Sequence, residues 1–394
     1  MEDKIIDTIK DIGNKLNEEY LRAGTKSKRR RILYELFAFE VLCEEEFGIE
    51  NKHLWFVDEE LLPDNKQYFD IINRDKKCFF NISKAVIESF ISEKYPFYHE
   101  YHKSLPKMNK KQMMEIVLSF LNDIDRGTAD KIIKKSVNSK IIETNIYGAG
   151  GYINPFEAID DSVIVINNED GYNLEFARSL VHECGHLFEL EHLYSQNKKV
   201  YRNVSIMTPY YEVSSSFFEY AFLRYIKDNK ILNHSIDVSL NDYYIELFIN
   251  NFYMNVICMK DRIEDNDDCV YIEEERIKKY ADNIMTRSNF YDMYYYTEGL
   301  DSKYSFIYPI GQFMAIYLYE NYKQDKENFI EEFKRSFLIY PTNPTIEAFN
   351  KVGINYQELK EGKVLKRILN EYKTKFWSFF HYLGKKQNKK CIYI

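Results

Sequence analysis

Turn-forming residues and long apolar runs are scarce in this sequence. Its 394 residues include only 14 glycines and 8 prolines, whereas Lys, Glu, Ile, Tyr and Phe abound. This composition favours long helices over a turn-rich β fold. No run of about 18 apolar residues is present, so we expect no membrane-spanning helix and no membrane partner. The first twenty residues carry a charge every few positions, which predicts an amphipathic helix and not a signal peptide.

Paired cysteines and an excess of positive charge are also absent. The six cysteines are scattered, without a CxxC pair or a disulfide-like spacing, so we expect a reducing, cytoplasmic location. The formal net charge is -8, and a chain without an overall basic field does not attract phosphates. The short basic run at residues 26–31 is interpreted as a solvated helix face. We therefore expect no nucleic-acid partner.

The sequence predicts a mostly helical protein that contains a small β-sheet. With 45% hydrophobic and 16% aromatic residues, the chain can bury a sizeable core. A glycine-rich break at residues 147–152 and a short apolar run at residues 162–166 predict the sheet. We divide the chain loosely into a helical N-terminal region, residues 1–135, and a second region, residues 136–394. No linker is sharp enough to separate two independent domains.

An HExxH motif lies in the second region, at His182–His186 within a helix-like segment. On a helix the two imidazoles project from one face, one turn apart. The pair therefore predicts a bidentate zinc site. Glu183 is held beside the ion, where its carboxylate can take a proton from a zinc-bound water. A catalytic zinc site needs a third protein ligand and leaves the fourth position for water.

His192 is one of two candidates for the third ligand. It follows His186 at the spacing of the metzincin pattern, and residues 205–209 resemble a Met-turn. The metzincin pattern requires the helix to break at a glycine, but Glu189 stands at that position. Residues 187–193 instead read as continued helix. In a continued helix, His192 points about 120° away from His186 around the axis.

Glu212 is the candidate that we favour for the third ligand. It lies 26 residues beyond His186, at the head of a second predicted helix. One face of that helix is polar, so it could present a ligand together with its hydrogen-bonding support. The members of this face, at positions i, i+3, i+4 and i+7, are Glu212, Ser215, Ser216 and Glu219.

Two segments resemble the M3 family of metallopeptidases, the thimet oligopeptidase group, and especially its oligoendopeptidase F branch. They are Leu180–His186, which is similar to the family's HExGH segment, and Glu212–Glu219, which is similar to its second zinc helix. A weaker third segment, Tyr304–Gly311, is similar to a tyrosine-rich stretch that ends in glycine. The resemblance implies a mostly α fold with a zincin catalytic region of the gluzincin type, a small β-sheet and a deep substrate cleft. Residues 136–394 would form this catalytic region.

The resemblance also implies roles for individual residues. His182, His186 and Glu212 would bind one zinc ion, with Glu183 as the general base. Glu219 would be a supporting carboxylate in the second coordination shell. Tyrosines of the third segment would stabilise the tetrahedral intermediate, and the candidates here are Tyr304 and Tyr308.

The sequence thus predicts a zinc-dependent endopeptidase that hydrolyses short, unstructured peptides. An exposed strand edge could hold the peptide by main-chain hydrogen bonds. One alternative is a metzincin-like protease that uses His192. Another is a catalytically silent peptide-binding protein, because Glu189 and Phe306 replace a His and a Tyr of the family pattern. The residues that would form the substrate edge are Gly148, Ala149, Gly150 and Gly151.

Overall fold

In a computed structural model, the described residues form mainly helices and a small β-sheet. The first helices are α1 (Glu2–Arg22), α2 (Lys26–Phe47), α3 (Asn65–Glu93), α4 (Lys110–Ile124) and α5 (Arg126–Val137). The residues that the structure describes are 2–47, 65–93, 107–138, 140–145, 150–156, 161–198, 210–232, 236–237, 239–252, 307–340, 350–351 and 353–373.

The sheet and the later helices follow in chain order. The strands are β1 (Ile141–Thr144), β2 (Gly151–Phe156) and β3 (Asp161–Asn167). Residues 239–252 and 363–373 are also helical. The prediction of a mostly helical protein with a small sheet is confirmed. The later helices are α6 (Leu174–Ser195), α7 (Val213–Asp228), α8 (Ile307–Gln324), α9 (Lys326–Ile339) and α10 (Tyr356–Glu361).

The chain divides into two compact units that interleave along the sequence. The first consists of Met1–Pro63 and Pro106–Val200, and the second of Asp64–Leu105 and Tyr201–Ile394. Among the described residues, no helix is long and apolar enough to cross a membrane.

In the first unit, β3 is the centre of the sheet. It pairs in parallel with β1 and antiparallel with β2, in the order β1-β3-β2. All five residues of the predicted apolar run, 162–166, are buried. A strand that is buried on both faces reads as a continuous apolar run, which is why this one could be predicted. Helix α6 packs against β2 and β3.

Capping side chains fix where the helices around the sheet begin. Asn109 forms a capping box with Gln112 at the start of α4, and Asp125 accepts from the Thr128 amide at the start of α5. Near the end of α5, the buried Lys135 ammonium donates to Asp161 Oδ1 at 3.1 Å, where β3 starts. The caps at Asn109 and Asp125 stabilise their helices by about 1 kcal/mol each. The contact between Lys135 and Asp161 holds α5 against the sheet.

In the second unit, α7 and α8 pack side by side over an aromatic core. Phe217 on α7 contacts Tyr322 on α8 and Phe333 on α9, with ring centroids 5.9 and 5.1 Å apart. Tyr220 meets Tyr319 edge-on at 5.4 Å. Aromatic pairs in such arrangements add about 0.5–1.5 kcal/mol each beyond the area they bury. The α7–α8 pair is therefore a rigid support for the residues at its ends.

Candidate metal centre

Helix α6 carries the HExxH motif and is continuous through it. The Asn173 side chain accepts from the Phe176 amide at 2.9 Å and so caps the helix start. The helix then runs unbroken to Ser195, which confirms that it does not end at Glu189. The imidazole rings of His182 and His186 lie on one face, with centroids 5.3 Å apart and planes at 78°.

Glu212 lies at the N-cap position of α7, as predicted. Its side chain makes no capping hydrogen bond to the helix. Instead, the Ser215 hydroxyl donates to Glu212 Oε2 at 2.6 Å. Glu212 is 3% exposed and Ser215 is fully buried. The hydrogen bond therefore holds one carboxylate oxygen in a fixed direction within a site that is shielded from water.

His182, His186 and Glu212 form a group of the kind that binds a metal ion. Each offers one ligand atom, and these atoms all lie within 4.8 Å of one another. Two imidazoles and one carboxylate are the donor set of many catalytic zinc sites. Zinc–ligand bonds of about 2.0–2.2 Å require such donors to surround a single point, and their mutual distances fit that requirement in outline. His192 is not a member of this group.

Two other residues of the motif are buried beside the imidazoles. Glu183 is 4% exposed. Burial, followed by the nearby charge of Glu183, raises the pKa of the Cys184 thiol well above its ordinary value. Cys184 is fully buried and is not a member of the group of possible metal ligands, so we assign it to the core.

Strand β2 begins beside Glu183. A methyl group placed on Gly151 would lie 3.6 Å from Glu183 Cγ, and only 2.9 Å from the Val165 carbonyl oxygen on β3. A methyl group on Gly150 would lie 3.6 Å from the Ser179 hydroxyl of α6. The lack of a side chain at Gly151 thus allows a close approach to β3, whereas a methyl group at either glycine would meet α6 at an ordinary contact distance. In the described sheet, β2 is an edge strand.

Helix α8 begins close to Glu212. A methyl group on Gly311 would lie 2.7 Å from the Glu212 carbonyl oxygen. Tyr308 precedes Gly311 by about one helical turn and is 52% exposed. Tyr308 therefore lies in the first turn of the helix and is accessible to solvent.

The remaining predicted site residues are placed as follows. Glu219 is buried on α7, about two turns beyond Glu212. Tyr304, Gly148 and Ala149 lie outside the described residues, as does the segment 205–209 that resembles a Met-turn. The contact between Gly311 and Glu212 was not predicted. Its only signal in the sequence is a glycine placed among buried helix positions.

Comparison with known proteins shows a likeness of structure and not of sequence. No protein-family model matches the sequence, and no curated protein matches it. One similar structure is assigned as oligoendopeptidase F and was solved at 3.1 Å. The superposition covers 91% of this chain and 71% of that protein, with a TM-score of 0.51 and 12% sequence identity. The chain has the fold of that protein.

Two further solved structures show a similar relationship. A protein assigned as a peptidase from Chlamydophila abortus has a TM-score of 0.50 and 13% sequence identity, and the superposition covers 89% of this chain and 62% of that protein. One assigned as oligoendopeptidase F from Bacillus anthracis has a TM-score of 0.48 and 13% identity, with 90% and 64% covered. The chain thus spans less than two thirds of the length of these two proteins.

Proposed function

We propose that the protein is a zinc-dependent endopeptidase that hydrolyses short, unstructured peptides. The observation that carries this proposal is the convergence of His182, His186 and Glu212, whose ligand atoms lie within 4.8 Å of one another. The fold, which is shared with a structure assigned as oligoendopeptidase F, supports it. A zinc ion in this site supplies an acidified water and polarises the scissile carbonyl.

Glu183 is the proposed general base. Its position next to His182 on α6 places the carboxylate beside the ligands and not among them, because neighbouring helix positions differ in direction by about 100°. The carboxylate accepts the proton of the attacking water and returns it to the leaving amine. Burial of Glu183 excludes bulk water, so the proton is kept within the site.

Tyr308 is the proposed donor to the oxyanion. Hydrogen-bond donors that point to where negative charge develops give one of the largest contributions to catalysis. The half-exposed phenol of Tyr308 lies one turn from Gly311, which contacts the Glu212 main chain. This neighbourhood supports the role, and Tyr304 stays a second candidate. Glu219 is the proposed supporting carboxylate on α7.

The edge of β2 is the proposed binding site for an extended peptide. Gly150 and Gly151 carry no side chain, so a peptide could approach the strand closely and pair by main-chain hydrogen bonds. Gly151 lies beside Glu183, and a peptide paired there would pass the general base. Main-chain recognition suits substrates of varied sequence, because side chains contribute little to it.

Replacing Glu183 by Gln tests the proposed mechanism. The amide has nearly the same shape as the carboxylate, but it cannot accept the proton. We expect E183Q to bind zinc as the wild type does and to lose at least about 1000-fold in kcat on a quenched fluorescent peptide library, since general-base and water-orienting roles are lost together. Zinc content and turnover are measured on the same preparation.

A matched control is available on the same helix. Glu191 is partly exposed and pairs with Lys131, so E191Q makes the same chemical change away from the metal ligands. We expect it to keep both zinc and turnover. Undiminished turnover in E183Q would defeat the mechanism. A wild-type protein that binds zinc and peptide without cleaving would instead identify a silent peptide-binding scaffold.

A further inference from the structure

Gly311 lies where any side chain would collide with the main chain of Glu212. A methyl group at position 311 would be 2.7 Å from the Glu212 carbonyl oxygen, 2.8 Å from its Cβ and 2.9 Å from its carbonyl carbon. Two of these are backbone atoms and the third is fixed to the backbone. None of them can move away by a side-chain rotation.

The surrounding packing prevents helix α8 from backing away. Farther along the same pair of helices, Tyr319 of α8 packs edge-on against Tyr220 of α7, and Tyr322 packs against Phe217. Tyr220 and Phe217 are fully buried. Close-packed cores transmit a displacement rather than absorb it. A larger residue at position 311 would therefore shift Glu212 locally.

We propose that Gly311 is a positioning residue that sets the place of Glu212 as the third metal ligand. The inference rests on the proposed metal centre. Metal coordination tolerates deviations of only about 0.2 Å from ideal ligand distances. The displacement that a methyl group would demand, from 2.7 Å to an ordinary contact of more than 3.4 Å, exceeds this tolerance. Glu212 has its carboxylate held by Ser215, while Gly311 determines where its main chain lies.

The test compares zinc affinities of variants by competition with a chromogenic chelator. We expect G311A to bind zinc about 10- to 100-fold more weakly than the wild type, the range measured when residues that orient metal ligands are changed. Its apo form should keep the helical circular dichroism of the wild type. Replacing zinc by Co²⁺ gives a second readout, because a displaced carboxylate alters the intensity of the visible absorption band.

Two control variants separate positioning from general destabilisation. Ala315 is fully buried one turn farther along α8, and A315G should lower thermal stability while leaving zinc affinity within about twofold, since a helix-interior glycine is destabilising. At Gly13, an added methyl group would have no atom within 4 Å. G13A should leave zinc affinity unchanged.

A double-mutant cycle asks whether Gly311 acts through Glu212. In an E212Q background, G311A should cause no further loss of zinc affinity, because the carboxylate that it displaces has already been removed. A full additional loss in the double variant would overturn the inference.

The other outcomes are equally decisive. If the wild type binds zinc and G311A binds it as tightly, the inference fails while the metal centre stands. If G311A loses its helical circular dichroism, the glycine serves the fold and not the ligand, and the inference is overturned. A wild-type protein with no affinity for zinc would defeat the metal centre and the inference together.

Discussion

At the scale of single residues, the Ser215 hydroxyl determines how Glu212 presents its carboxylate. It donates to Oε2 at 2.6 Å, and it also contacts the Glu212 carbonyl oxygen at 3.1 Å. The hydroxyl thus fixes one oxygen of a carboxylate whose ligand atom lies within 4.8 Å of those of His182 and His186. Partners of this kind fix the orientation of a ligand and tune its basicity.

Replacing Ser215 by Ala should therefore weaken zinc binding by about 10-fold, since the carboxylate loses its fixed direction and a buried oxygen loses its donor. The stability of the apo protein should fall by about 1–3 kcal/mol for the same reason. A chelator competition and a urea titration measure the two effects. Ser195, whose hydroxyl donates to the His192 carbonyl at the exposed end of α6, provides the control S195A. Equal zinc affinity in S215A and S195A would contradict the role of Ser215.

The residues that form the candidate metal group could be predicted because each lies on a helix with a readable period. His182 and His186 are four positions apart, and Glu212 heads a polar helix face. Ser215 was recognised as part of that face, but its bond to Oε2 was not. The role of Gly311 could not be predicted, because it depends on a contact between residues almost one hundred positions apart.

At the scale of elements, the start of β2 is fitted tightly against β3. Gly151 pairs with Ile166 of β3. A methyl group there would come within 2.9 Å of the Val165 carbonyl oxygen, and backbone atoms in a sheet cannot yield. The neighbouring Gly150 has room for a methyl group, at 3.6 Å from the Ser179 hydroxyl.

These two adjacent glycines give a matched pair of variants. G151A should lower the free energy of unfolding by about 1–3 kcal/mol, the usual cost of overpacking. G150A should leave it unchanged or raise it by about 0.4–1 kcal/mol, because alanine restricts the unfolded chain. Urea titrations of both variants check this. Equal stability of the two would show that β2 does not fit against β3 as tightly as the distances indicate.

The sequence predicted some elements better than others. Strand β3 was predicted because its apolar run is buried on both faces. The continuous course of α6 was predicted because position 189 holds a glutamate and not the helix-breaking glycine of the metzincin pattern. The sequence IIET of β1 carries no such signal, since its first three residues are half-buried. The parallel pairing of β1 with β3 depends on a crossover that local patterns do not encode.

At the scale of the whole molecule, the fold is shared with a structure assigned as oligoendopeptidase F at only 12% identity. A fold retained at such low identity depends on the pattern of buried positions rather than on particular residues. The candidate metal group is the opposite case, because it needs three specific side chains. Fold alone does not establish an activity, so the claim of a zinc peptidase depends on the chemistry of that group.

The metal content of three purified proteins tests this claim most directly. After saturation with zinc and removal of the excess, elemental analysis should find one zinc ion per chain in the wild type and in H192A, and much less than one in E212A. Removing one of three ligands leaves too few donors to hold the ion, whereas His192 is not a member of the group. Zinc retained in E212A but lost from H192A would contradict the account.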